Sequence, residues 1–261
     1  MQEEEGILQE VIQRAAACVA ESMRILAFTG AGLSTESGIP DFRSPGGIWD
    51  RYDPSDFDFQ KIVSSKRARE AYWRMSTEFF GSMKDALPNP AHHALKALED
   101  TGRLAAIVTQ NIDNLHQKAG SSPHKVIEIH GTAFSVSCLA CGRRYSRDEI
   151  EARLAAGDPD PVCDACAGML KPDTISFGQA MPQERLEEAF HHAETCDLCL
   201  VLGSSLVVYP AASIPMHAVE RGARLLIFNR DPTPLDDRAE EVIRTPVGRV
   251  LPRVVQVQGA P

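Results

Sequence analysis

The sequence predicts an α/β fold, a doubly wound parallel sheet with helices on both faces and a smaller domain set into it. Three observations predict it. The apolar run Met23-Arg24-Ile25-Leu26-Ala27-Phe28 leads into Gly30-Ala31-Gly32, as a short buried strand does where small residues let the backbone approach a pyrophosphate. A second apolar run, 198–202, ends in Gly203-Ser204-Ser205, whose amides and hydroxyls suit phosphate. Strand-like and helix-like stretches alternate around these two turns, which implies parallel strands joined by helical crossovers. The sheet is therefore expected to be of the Rossmann type.

The elements follow in order. In 7–22, Leu8, Val11, Ile12, Ala15 and Val19 recur at helical spacing, so one helix is predicted. A strand at 24–28 follows. Residues 45–88 change character: Pro45-Gly46-Gly47 and an Asp/Phe-rich stretch at 53–59 precede a helical run near 66–80. Asn89-Pro90 starts a helix over 91–99 that Gly102 ends. Residues 104–108 read as a buried strand, 114–119 as a short helix closed by Gly120, and 126–129 as another strand. Cysteine pairs occupy 138–166, and the α/β alternation resumes from Thr174. Pro182 starts a helix to about Glu194, and 198–202 is a strand. Pro210 opens a helix that Gly222 closes. Residues 224–228 form a strand ending at Asn229-Arg230, and 254–257 is read as a last edge strand. The expected plan is a discontinuous dinucleotide-binding domain over 1–44, 89–134 and 172–261, interrupted by a helical insert at 45–88 and a metal-binding insert at 135–171.

Bulk properties narrow the function. The formal net charge is −9, which argues against broad nucleic-acid binding because that needs a positive field. The N-terminus, MQEEEGILQEVIQRAAACVAESM, is acidic and amphipathic and lacks the basic start and apolar core of a signal peptide. No stretch approaches the 18 apolar residues of a membrane span. A soluble, cytoplasmic protein and no membrane partner are expected.

Four of the seven cysteines form two pairs, Cys138-x2-Cys141 and Cys163-x2-Cys166, separated by 21 residues. Each pair can aim two thiolates at one ion, and four sulfurs close a tetrahedral zinc site with no open position. One structural zinc ion is expected. The competing reading, four buried or redox-active thiols, is weakened by the turns at Gly142 and Pro161. Cys196 and Cys199 have no partner pair and read as core, and Cys18 as a helix-face residue. Arg143, Arg144, Arg147 and Arg153, with Tyr145 the single aromatic among them, read as a solvated face rather than a nucleic-acid patch.

Three further segments give the chain a family. Residues 29–44 read TGAGLSTESGIPDFRS, 109–116 read Thr109-Gln110-Asn111-Ile112-Asp113-Asn114-Leu115-His116, and His130-Gly131 stands just ahead of the cysteine pairs. With these the chain resembles the sirtuins, NAD-dependent protein lysine deacylases, over nearly its full length, and its short termini look prokaryotic. The resemblance implies that NAD is a co-substrate. Gly30, Ala31 and Gly32 would line the diphosphate turn, with Asp41, Phe42 and Arg43 in a flexible loop over the cofactor. Gln110 and Asn111 would hold ribose hydroxyls, Ile112 and Asp113 the nicotinamide. Gly203, Ser204 and Ser205 would meet phosphate, and Asn229 the adenosine ribose.

In the implied chemistry the acyl oxygen attacks C1′ of the nicotinamide ribose as nicotinamide leaves. A base then helps the ribose 2′-hydroxyl attack the resulting alkylimidate, and water yields free lysine and O-acyl-ADP-ribose. His130 matches the base, since an imidazole titrates near neutral pH, and Asn111 is its catalytic companion. Phe177 and Gly178, with Val207 and Val208, match two loops between which an extended peptide adds as a strand. Gln179 stands where the family often has Glu, which weakens charge-based selection of flanking basic residues.

The desuccinylase branch carries Tyr-x-x-Arg in the helical insert, and Tyr72-Trp73-Arg74-Met75 is its counterpart here. Met75 offers a soft apolar wall and no partner for a carboxylate, so neutral acyl groups are expected; a desuccinylase remains the alternative if Arg74 lines the pocket. Mono-ADP-ribosyl transfer, a conventional NAD oxidoreductase and a zinc-ribbon binding module are further alternatives. Acyl-lysine proteins are the expected partners, nucleic acid is not, and a monomer is expected. His116 is read as structural or supporting, and His92, His93, His191 and His192 as exposed helix residues.

Overall fold

Apolar runs at 25–29, 104–109, 198–202 and 224–228 set the architecture of the chain in a computed structural model, which describes residues 2–255. Helix α1 (Gln2–Glu21) leads into β1 (Ile25–Thr29). Helices α2 (Phe59–Ser64) and α3 (Lys66–Lys84) follow a series of short 3-10 turns. Then come α4 (Pro90–Asp100), β2 (Leu104–Thr109), α5 (Leu115–Lys118) and β3 (Val126–Glu128). The cysteine region contains β4 (Gly131–Cys138), β5 (Arg144–Ser146), α6 (Arg147–Ala155) and β6 (Leu170–Thr174). The chain continues through α7 (Gln183–Thr195), β7 (Leu198–Leu202), α8 (Ser213–Glu220), β8 (Arg224–Phe228), β9 (Glu241–Ile243) and α9 (Val247–Val254).

Six strands form a parallel sheet in the order β3-β2-β1-β7-β8-β9, as the predicted fold class requires. Every residue of β1 and β7 is buried, because helices cover both faces and leave no side for polar residues. Ile12, Ala15 and Val19 of α1, Leu95 and Leu98 of α4 and Val250 and Leu251 of α9 fill one face. Ala189 and Ala193 of α7 and Ile214 and Ala218 of α8 fill the other. The strand order reverses between β1 and β7, so the loops leaving these two strands diverge and open a crevice.

A second, antiparallel sheet has the order β5-β4-β6. Its core is small, with Val136, Tyr145, Ile150 and Leu170 packed around Trp73 of α3. Arg147, at the start of α6, is buried with its guanidinium 4.8 Å from the Phe80 ring and 5.5 Å from the Trp73 ring. It also bonds Ser76 at 2.9 Å and Glu151 at 2.7 Å, which locks α6 to α3.

Several expectations are corrected. The edge strand at 254–257 is absent where it can be judged: Val254 ends a helix, and 256 and 257 lie outside the described residues. Val247, Val250, Leu251 and Val254 share one helical face buried against α1 and α4, and that burial overrides Pro252 within the helix. Helix α8 begins at Ser213 rather than Pro210, and α1 begins at Gln2 rather than 7. His92 is 0% exposed, not a surface residue. Its Nδ1 accepts the Asn89 amide at 3.3 Å in a capping box that closes the first turn of α4. His192 is half-buried, whereas His93 and His191 are exposed.

Candidate active site

The loops leaving β1, β2, β3, β7 and β8 converge on one cavity of about 520 Å³, lined on its other side by α3 and the segment after β6. All five loops leave C-terminal strand ends, where open parallel sheets bind ligands. Every predicted NAD-site residue lines this cavity: Gly30, Ala31, Gly32, Asp41, Phe42, Arg43, Gln110, Asn111, Ile112, Asp113, Gly203, Ser204, Ser205 and Asn229. His130, Tyr72, Met75, Phe177, Gly178, Val207 and Val208 line it too.

The glycine turns are held against each other. The Gly32 amide donates to the Gly203 carbonyl at 2.9 Å. A Cβ at Gly30 would lie 2.7 Å from that carbonyl oxygen, and one at Gly203, whose φ is +64°, would lie 2.2 Å from the Leu33 nitrogen. Glycine is thus required here by one loop crossing another.

The residues after β2 are cross-linked to both turns. Gln110 Nε2 donates to Ser204 Oγ at 2.9 Å. Asn111 Nδ2 donates to the Gly30 carbonyl at 3.0 Å and to Ser34 Oγ at 3.1 Å. Ser34 in turn donates to Asp113 Oδ2 at 2.6 Å, while Asp113 Oδ1 accepts the Leu115 amide at 3.0 Å. Burial is the largest influence on Asp113 and raises its pKa above the usual carboxylate value, although these hydrogen bonds oppose it. Ser34 is a site residue that the sequence reading missed; its place in the 29–44 motif was the available signal.

His130 follows β3 and its Nδ1 lies 3.1 Å from the Gln110 carbonyl. A carbonyl can only accept, so Nδ1 carries the proton and Nε2 keeps a lone pair. Burial lowers the His130 pKa below 6.5, with the Gln110 bond opposing it, so the ring is neutral at pH 7. His116 is buried and bonds Thr29 Oγ1 at 3.1 Å, behind the site rather than in it.

The 41–44 loop is stitched by the Asp41 carboxylate. Burial raises its pKa, yet the bonds from Ser44 and Arg43 outweigh that and hold it below the usual value. Arg43 reaches Ser205 Oγ at 3.4 Å, and Arg230 reaches Ser44 Oγ at 2.7 Å. The Phe42 ring lies 5.1 Å from Trp49, which also meets Phe57 at 5.3 Å and Phe177 at 6.1 Å. At the mouth, Val207 and Tyr209 are 49% and 65% exposed. Phe177 also lines the cavity and is exposed, its backbone paired with Phe57 and Phe59.

Tyr72 and Met75 are buried on α3, whereas Arg74 is exposed and does not line the cavity. Tyr72 Oη lies 3.1 Å from Thr174 Oγ1.

The four paired cysteines meet outside this cavity, with all four sulfurs within 4.8 Å of one another. Cys138–Cys166 and Cys141–Cys163 sulfur distances are 3.5 and 3.6 Å, against about 3.8 Å for tetrahedral zinc thiolates with Zn–S near 2.3 Å. Gly168 leaves the space: a Cβ there would lie 2.8 Å from the Cys138 sulfur. The donor set fits zinc. Cys18, Cys196 and Cys199 are buried elsewhere as free thiols.

The Sir2 family model matches residues 30–210. The chain is 46% identical over 244 residues to NAD-dependent protein deacetylase 1 of Bradyrhizobium diazoefficiens, covering 94% of this chain and 95% of that protein. It is 42% identical to NAD-dependent protein deacylase 2 of Archaeoglobus fulgidus, covering 95% and 96%. A solved Sir2 with a p53 peptide and NAD+ is similar at a TM-score of 0.84 and 40% identity, covering 92% of this chain and 95% of that chain. Sir2Tm bound to a propionylated peptide is similar at a TM-score of 0.85 and 38% identity, covering 94% and 97%.

Proposed function

The chain belongs to the Sir2 family and is an NAD-dependent protein lysine deacylase, and we propose that it removes neutral acyl groups with His130 as general base. The overall change is acyl-lysine, NAD+ and water to lysine, nicotinamide and O-acyl-ADP-ribose. One observation carries the assignment of the base: the Gln110 carbonyl fixes the His130 Nδ1 proton, which leaves Nε2 as a lone pair in a ring lining the cavity.

The remaining roles follow from position. Gly30, Ala31, Gly32, Ser204 and Ser205 bind diphosphate, and Asn229 binds the adenosine ribose. Gln110 and Asn111 hold the nicotinamide ribose, Asp113 takes the carboxamide with Ile112 beside it, and Phe42 covers the ribose after nicotinamide leaves. The exposed edges at Phe177–Gly178 and Val207–Val208 take the peptide as a strand. Met75 at the acyl wall and Arg74 turned to solvent support neutral acyl groups over succinyl. Cys138, Cys141, Cys163 and Cys166 would hold one zinc ion, which supplies a rigid cross-link between β4 and the segment before β6.

The antiparallel pairing of β4, β5 and β6 supports 135–171 as a metal-binding insert, and helices α2 and α3 support 45–88 as a helical one, both set into the NAD-binding domain at 1–44, 89–134 and 172–261. Beta strands 4 and 6 continue across its limits. Free thiols at Cys18, Cys196 and Cys199 suit a reducing compartment, and we place the protein in the cytoplasm. No helix among the described residues is long and apolar enough to cross a membrane. The net charge of −9 disfavours nucleic acid and supports a soluble monomer.

The test is mass spectrometry of reactions with NAD and acetyl-, butyryl- and succinyl-lysine peptides. Acyl loss with O-acyl-ADP-ribose is expected, lowered about 10²–10⁴-fold in His130→Ala. Nicotinamide release without acyl loss would replace deacylation with ADP-ribosyl transfer.

A further inference from the structure

The paired cysteines are not equivalent. Cys138 and Cys163 are 3% and 2% exposed, whereas Cys141 and Cys166 lie at the surface. One buried sulfur has a side-chain partner: Tyr145 Oη donates to Cys163 Sγ at 3.2 Å and accepts the Asp164 amide at 3.0 Å. A zinc-bound thiolate carries no proton and can only accept, so the direction of the first bond follows. The sequence places Tyr145 on a solvated face, but the structure buries it, 5% exposed, in the small core of Val136, Ile150, Leu170 and Trp73. Its place in β5 explains why. Tyr145 stands opposite Val136 in the ladder with β4, the strand that ends at Cys138. The hydroxyl thus reaches from the sheet carrying the first cysteine pair to the loop carrying the second. Cys138 is instead met by backbone, its sulfur accepting the Ala140 amide at 3.4 Å.

We propose that Tyr145 is a positioning residue for the zinc site, its hydroxyl holding the Cys163 thiolate in place and slowing loss of the metal. This rests on the zinc reading and goes beyond it. A hydrogen bond to a metal-bound thiolate is charge-assisted, so it is stronger than a bond between neutral groups. Groups that orient metal ligands from behind change affinity by about 10–100-fold. The same hydroxyl pins the backbone beside Cys163 through the Asp164 amide, so the ligand is ordered before the metal arrives and less freedom is lost on binding. A competing ligand first reaches the metal at the exposed Cys141 and Cys166, and an anchored Cys163 favours reclosure over release. Replacing Tyr145 by Phe keeps the ring in the core but strips both the thiolate and the Asp164 amide of a partner.

The experiment follows zinc transfer from the whole chain to a coloured chelator under reducing conditions, in the unaltered protein, Tyr145→Phe and Ile150→Val. Ile150 belongs to the same core and has no polar atom to offer a sulfur. Tyr145→Phe is expected to release zinc about tenfold faster. Cobalt(II) in place of zinc supplies a readout that a looser core does not move. A hydrogen bond stabilises the sulfur lone pair, so its loss shifts the thiolate-to-cobalt charge-transfer band to longer wavelength in Tyr145→Phe and leaves it in place in Ile150→Val. Release from Tyr145→Phe within about twofold of the unaltered protein, an unmoved band, or an equal shift in Ile150→Val would overturn the proposal. Should Tyr145→Phe not fold, the unaltered protein loaded with a magnetic cadmium isotope decides: a spin coupling between the Tyr145 hydroxyl proton and the metal is expected, and its absence overturns the proposal. If the unaltered protein takes up none of these metals, the zinc reading fails instead.

Discussion

Individual side chains here gain meaning from what they face, and His92 shows this most clearly. Burial pushes its pKa down to about 4, and complete burial also lowers the neighbouring His116 well below its usual value. Between pH 6.5 and about 4 the unfolded chain binds a proton on His92 that the folded chain refuses. Stability is therefore full above pH 6.5 and is lost as pH falls through that window. That lowering to about 4 corresponds to about 3 kcal/mol. Urea midpoints at pH 7 and pH 4.5 should show a steep loss, shallower in His92→Gln; an unchanged slope would mean His92 is already protonated in the fold. Thr174 was not legible because it acts through Tyr72, distant in sequence, whereas His92 and Ser34 stood beside signals that could have been used, the Asn89 cap and the 29–44 motif. Gly30 was legible as a glycine turn after a strand, and Gln110, Asn111, Asp113 and His130 through the resemblance of 109–116 and His130-Gly131 to the family's motifs.

At the level of elements, five of the six described parallel strands were readable from apolar runs, which double burial demands, whereas the short edge strand β9, Glu241–Ile243 and only partly buried, was missed. The antiparallel strands were not readable. Strand β4 reads GTAFSVSC, β5 RYS and β6 LKPDT, short and polar pieces whose pairing depends on the cysteine cluster at their ends. Zinc removal by a chelator under reducing conditions should therefore raise amide hydrogen exchange in β4, β5 and β6, with β1 and β7 protected as before. Unchanged protection of β4, β5 and β6 after proven zinc loss would show that the small core around Trp73 suffices alone. Helix α9 escaped notice because Pro252 is a poor helix former, while four buried apolar residues on one face outweigh it.

For the whole molecule, the order β3-β2-β1-β7-β8-β9 places every cofactor-side loop at one edge of the large sheet. Ligand binding there should be linked to global stability. NAD at a hundredfold excess over its Kd should add about 2.7 kcal/mol, raising the thermal midpoint by roughly 5–11 °C for a chain of this size. A differential scanning measurement without any shift would remove NAD from this cavity.

His130 and Gly131 mark the place where the chain leaves the parallel sheet for the antiparallel one. Gly131 has φ +72°, and a Cβ there would lie 1.8 Å from the Asp173 oxygen of the returning strand. The His130 carbonyl accepts the Ile175 amide at 2.9 Å just beyond. Two strands thus pass each other at nearly zero clearance beside the base, like blades at a rivet. Any side chain larger than hydrogen at position 131 would push the strand at 170–174, and the Phe177 edge of the cleft that follows it, away from the base.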